Sequence, residues 1–131
     1  MITEDEIGVP ENSDANHLAN TGAKIDFCMR HYQPFLRQDF SLHHLSVITN
    51  IPEKDIEIFF SQSPKPFDQY LDEFRVKYAK NLIITGKVLG MEIKTIGALS
   101  GFSSAKKFIE AYILIEGISP ETYQSQINKS N

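Results

Sequence analysis

The strongest constraint on the fold is that the chain repeats itself. Leu45-Ser46-Val47-Ile48-Thr49-Asn50-Ile51 lines up with Ile96-Gly97-Ala98-Leu99-Ser100-Gly101-Phe102 at an offset of 51, and Ile56 and Phe60 line up with Phe108 and Tyr112 at an offset of 52. One inserted residue reconciles the two offsets. Each copy holds a short amphipathic run, then a residue suited to left-handed backbone (Asn50 or Gly101), then a second run with apolar residues one helical turn apart. A unit of this kind cannot bury its apolar face alone, and its recurrence predicts two helix-turn-helix units.

Between the copies, Phe67, Tyr70, Leu71, Phe74, Tyr78 and Leu82 climb in steps of three and four up to Gly86. This is the longest helical pattern in the chain, and it predicts a strut joining the two units. The local signals agree with this division. Ser41 and Ser103-Ser104 are N-cap candidates, Pro52 suits a first helical turn, Gly101 and Gly117 are stops, and Ser119-Pro120-Glu121 opens a last helix whose Tyr123 points back to the core. Ile25, Phe27, Cys28 and Tyr32 predict one apolar stripe of a short lead-in helix ending near Pro34. No strand pattern occurs. The expected fold is all-α: a flexible acidic arm over 1–23, a lead-in helix over 24–36, a first helix-turn-helix over 37–66, a linker helix over 67–86, and a second helix-turn-helix with a closing helix over 87–127.

Composition narrows the function classes. With 131 residues, 41% of them hydrophobic, the chain suits one globular domain or two small lobes. The formal net charge of -4 is unevenly spread, since residues 1–35 hold six acids and two bases whereas 36–131 hold eleven of each. The single cysteine, Cys28, precludes an internal disulfide and any paired-cysteine metal site, and is expected to be a small core residue in a reducing, cytoplasmic setting. No run approaches the roughly 18 apolar residues that a membrane span needs, and the start is acidic where a secretory signal is basic. His43 and His44 are adjacent on a helix and so point about 100° apart, a poor arrangement for one metal, and HExxH, P-loop and GxGxxG patterns do not occur. The expectation is a non-enzyme with no cofactor and no metal, whose histidines, including His17 and His31, are surface residues.

From about Phe40 to Tyr123 the chain resembles the AraC/XylS-type DNA-binding domain of bacterial transcription regulators. The resemblance rests on Phe74-Arg75-Val76 and Ala79 in the long helix, on Gly101-Phe102-Ser103-Ser104 at the second turn, and on Gly117-Ile118-Ser119-Pro120-Glu121-Thr122-Tyr123 at the end. Tyr32-Gln33-Pro34-Phe35-Leu36 is similar to the lead-in of such domains at the ends of larger sensor proteins. The resemblance implies double-stranded DNA as partner, with two recognition helices entering successive major-groove segments about 34 Å apart and held by a rigid spacer. It also implies a possible upstream sensor domain.

Mapped onto this chain, the first recognition helix runs from Glu53 to Ser61, with Lys54, Glu57 and Ile58 facing the groove. The second runs from Ser104 to Ile115, with Ala105, Lys106, Lys107, Ile109 and Glu110 facing it, and Ser104, Lys65, Lys77 and Lys94 are candidates for the DNA backbone. The family commonly carries arginine at Glu110 and Gln124 and lysines at Ile113 and Leu114, so phosphate contacts are fewer here and affinity is expected to be lower. The same substitutions leave Tyr112-Ile113-Leu114-Ile115 as four consecutive apolar residues, which a helix cannot turn toward one core. A second reading therefore stays open: a fold-retaining relative with weak or no DNA binding, acting as a protein-interaction module through Ile113, Leu114 and Ile115 and the acidic arm.

Overall fold

The computed structural model describes residues 10–86 and 90–130, with side chains over 16–86 and 90–129. Every regular element among the described residues is helical. These are α1 (Pro10–Tyr32), a 3-10 turn (Pro34–Leu36), α2 (Leu42–Thr49), α3 (Glu53–Ser61), α4 (Phe67–Ile84), α5 (Ile93–Leu99), α6 (Ala105–Glu116) and α7 (Pro120–Ser130). They group into two compact units: α1, α2 and α3 form the first, and the strap 33–40 with α4 to α7 forms the second.

In the first unit α1 packs on both α2 and α3. The buried positions on α1 are Thr21, Ile25, Cys28 and Met29, which lie on one helical face. Cys28 is a core residue as expected, and burial pushes its thiol above the ordinary value. Phe27 and Tyr32 differ from expectation: they are 54% and 67% exposed, Phe27 because it lies about 200° round the helix from Ile25, and Tyr32, which shares the buried face, because it is the last residue of the helix. The boundary also differs, since the helix begins at Pro10 and runs through residues expected to form the arm. Polar sequence hid this. What holds the stretch is packing at Thr21 and Gly22, where a Cβ on Gly22 would stand 2.8 Å from Phe59, so only glycine lets the ring approach. The portion of the expected arm over 1–9 lies outside the described residues.

The repeat read from the sequence recurs as structure inside each unit. Leu45, Ile51, Ile56 and Phe60 are buried in the first, and their counterparts Ile96, Phe102, Phe108 and Tyr112 are buried in the second. Asn50 and Gly101 both take positive φ, +61° and +99°. Thr49 Oγ1 donates to the Leu45 carbonyl at 2.7 Å, and Ser100 Oγ donates to the Ile96 carbonyl at 2.8 Å. The caps hold as well: Ser41 Oγ accepts from the His44 amide while His44 Nδ1 accepts from the Ser41 amide, and Ser104 Oγ accepts from the Lys107 amide at 3.1 Å.

In the second unit Val76, Ala79 and Ile83 of α4 meet Ile96, Phe102, Phe108, Ala111 and Tyr112 in one core. Tyr112 is fully buried, and its hydroxyl has no hydrogen-bond partner among the described residues. Residues 33–40 belong to this unit, whereas 33–36 are expected in the lead-in helix and 37–40 in the first helix-turn-helix; Arg75 holds them. Its Nε donates to the Phe35 carbonyl at 2.7 Å and a terminal N–H donates to the Arg37 carbonyl at 2.7 Å. The guanidinium also lies over the Phe102 ring, 5.9 Å from its centroid. Gln33 starts the strap with φ +51°, which ends α1 and redirects the chain.

Candidate functional site

Two helix-turn-helix pairs set the candidate positions, α2 with α3 and α5 with α6. On α3, Lys54 and Glu57 are exposed, and Ile58 is 40% exposed beside them. The opposite face carries the buried Ile56 and Phe60, so the helix is amphipathic and presents Lys54, Glu57 and Ile58 outward. Two histidine–carboxylate contacts hold its first turn. His43 Nδ1 of α2 lies 2.8 Å from Glu53, and His17 Nε2 of α1 lies 3.4 Å from Asp55. His43 and His44 thus serve different partners, Glu53 and Ser41.

On α6, Lys106, Lys107 and Glu110 are exposed, while Ala105 and Ile109 are half-buried. The start of the helix is fixed by Ser104, whose oxygen is occupied by the Lys107 amide. Phe108, Ala111 and Tyr112 face the core. Of the assigned backbone-contacting lysines, Lys77 and Lys94 are exposed, whereas Lys65 is bound to Glu73 at 2.6 Å and is partly neutralised there. The apolar run divides as helix geometry requires: Tyr112 is buried, Ile115 packs against the core, and Ile113 and Leu114 are 44% and 82% exposed. Ile115 is therefore a core-side residue, and the exposed part of the candidate interaction surface is Ile113 and Leu114.

Sequence reasoning did not single out what surrounds Leu114. A cleft of about 470 Å³ in the second unit is lined by Asp68, Leu71, Asp72 and Arg75 of α4 and by Lys107, Glu110, Ala111 and Leu114 of α6, with the strap and the Phe102 turn at its end. Burial pushes the Asp72 carboxyl above its ordinary value, against the pull of Arg75. The available signal was the pairing of Asp68 with Asp72, one helical turn apart, which reads equally well as a solvated helix face. Among the described residues no group of three or more His, Cys, Asp or Glu side chains is arranged to hold a metal ion, and no helix is long and apolar enough to cross a membrane.

Two solved structures share this arrangement of helices. The C-terminal domain of the two-component response regulator yesN from Fusobacterium nucleatum is similar at 24% identity, with a TM-score of 0.64, over 80% of this chain and 98% of that one. A protein of unknown function from Listeria innocua is similar at 23% identity, with a TM-score of 0.59, over 76% of this chain and 90% of that one. What they share with this chain is the fold. No protein-family model and no curated protein matches the sequence.

Proposed function

We propose that the chain is a DNA-binding domain of the AraC/XylS type, acting in bacterial transcription regulation in the cytoplasm. The observation that carries this reading is the duplicated helix-turn-helix, in which each second helix turns lysine outward: Lys54 on α3, and Lys106 with Lys107 on α6. Likeness of fold to the C-terminal domain of a response regulator supports it. In this reading α3 and α6 address successive major-groove segments. Lys54, Glu57, Ala105, Lys106, Lys107 and Glu110 are the base-facing set, with Glu57 and Glu110 suited to accept from cytosine amino groups. Lys77, Lys94 and Ser104 serve the phosphates, and Lys65 joins them only by leaving Glu73. An upstream sensor domain or partner would raise affinity by tethering the domain near its site.

The test is fluorescence-anisotropy titration of a random-sequence duplex at two salt concentrations, with wild type beside a Lys106→Ala/Lys107→Ala variant. Wild type is expected to bind in a salt-sensitive manner, and the variant to bind several-fold more weakly with a shallower salt dependence. Absence of binding at low salt by a chain shown to be folded overturns the reading.

A further inference from the structure

The 51-residue offset that relates the two helix-turn-helix pairs also relates α1 to α4. Ile25 and Cys28 fall on Val76 and Ala79, and all four are buried. Lys24 then falls on Arg75, Phe27 on Tyr78, and Ile48 of α2 on Leu99 of α5. The opposite flank agrees. Gly22 of α1 meets the Phe59 ring of α3, and their counterparts Glu73 and Ala111 line one depression between α4 and α6. Within its own unit, α1 therefore stands to α2 and α3 as α4 stands to α5 and α6.

In the second unit the strap covers the flank of α4 that carries Arg75 and Tyr78. The Phe35 ring is buried, with its centroid 5.5 Å from that of Phe74 and 6.2 Å from that of Tyr78; the Phe35 carbonyl accepts from Arg75, and its main chain lies against Gly101. In the first unit the corresponding flank is open: Lys24, Phe27, Cys28 and Tyr32 of α1 and Ile48 and Thr49 of α2 line a pocket of about 330 Å³. Phe27, Tyr32 and Ile48 are exposed there, and Ala23 stands where the second unit has the larger Phe74. Lys24, at the position of Arg75, is exposed and makes no ion pair among the described residues. We propose that this pocket receives a short Pro-aromatic-aliphatic segment of a partner protein, seated as the strap is seated in the second unit. Its aromatic side chain enters between Phe27 and Ile48, and the Lys24 ammonium donates to its main-chain carbonyl. The equivalent seat selects this occupant, because there a proline, an aromatic ring and a carbonyl aimed at a cation fill the same place. A second copy is a poorer occupant, since its Pro34 and Phe35 are buried in its own second unit. DNA binding is not needed for this seat, and none of its residues belongs to the base-facing or phosphate-facing set.

The experiment titrates the full chain with a synthetic peptide of the strap sequence Gln33-Pro34-Phe35-Leu36-Arg37-Gln38, followed by two-dimensional amide NMR; the same peptide with serine in place of phenylalanine is the comparison. Saturable shifts are expected at the amides of Lys24, Phe27, Ile48 and Thr49, with affinity at least about tenfold lower for the serine peptide. Ile48→Ser should weaken binding by about tenfold and Lys24→Gln by about threefold, whereas Leu99→Ser, the equivalent exposed position of the second unit, should leave it within about twofold. Dispersion of the amide spectrum checks that each variant is folded. No shift at up to about 1 mM peptide overturns the proposal. So do shifts confined to α4 and the Gly101 turn, where the peptide has displaced the strap, and equal weakening by Leu99→Ser. Concentration-dependent shifts at the same amides without peptide, abolished by Ile48→Ser, also overturn it and assign the face to a second copy.

Discussion

Arg75 shows why some residues could be read from the sequence and others could not. Its partners are main-chain carbonyls of Phe35 and Arg37, some forty residues earlier in a strap without periodicity, so no spacing rule points to them. Cys28 and Phe108 obey helical spacing and are where it puts them. Asp72 belongs with Arg75, because the burial that governs it involves α6 and its Lys107, distant in sequence, besides Asp68 and Arg75 on its own helix. Its folded-state carboxyl is raised by burial, so the proton is favoured in the native state: the contribution of this one group to stability is fully present below the ordinary value of 3.8 and is lost as pH rises through the raised one. Asp72→Asn is therefore expected to be more stable than wild type at neutral pH, with the advantage vanishing as pH falls below the ordinary aspartate range. Urea-denaturation midpoints across that range check it, and an advantage independent of pH would mean that Asp72 titrates as it does in the unfolded chain.

At the scale of elements, the duplicated pattern was legible because one face of each short helix is buried and the turn demands a particular backbone. The two turns are not equally demanding. Asn50 takes φ +61° in open surroundings, whereas Gly101 takes φ +99° and a Cβ there would fall 2.2 Å from the Phe35 carbonyl oxygen and 2.7 Å from Arg75 Nε. Asn50→Ala should cost about 1 kcal/mol, the ordinary cost of left-handed backbone. Gly101→Ala should cost at least about 3 kcal/mol, because the strap must move and the Arg75 contacts must break. Chemical denaturation at unchanged slope measures both, and equal costs would show that the strap yields freely. The extension of α1 to Pro10 was not legible, because polar residues between Pro10 and Asn20 give no stripe and the helix is held from its later half, at Thr21, Ile25 and Met29.

At the scale of the whole molecule the question is how much DNA binding a net charge of -4 permits. Five candidate lysines are exposed, namely Lys54, Lys77, Lys94, Lys106 and Lys107, and Lys65 is held by Glu73. If all five reach phosphates, counterion release gives a slope of log K on log salt no steeper than about -4.5, or a loss of at most about 500-fold between 50 and 200 mM salt. Charge substitutions on α6 then report which face meets the duplex. Glu110 is exposed and free of ion pairs among the described residues, so Glu110→Lys should fold as wild type does. If α6 lies in the groove, that variant binds random duplex more tightly and steepens the slope by about 0.9, one added phosphate contact. Ile113→Lys, farther along the same helix and 44% exposed, adds a similar increment only if the contact extends beyond the first turns. A Glu110→Lys variant with unchanged affinity and slope would place α6 away from the duplex, leaving any nucleic-acid binding to Lys54 and the first unit.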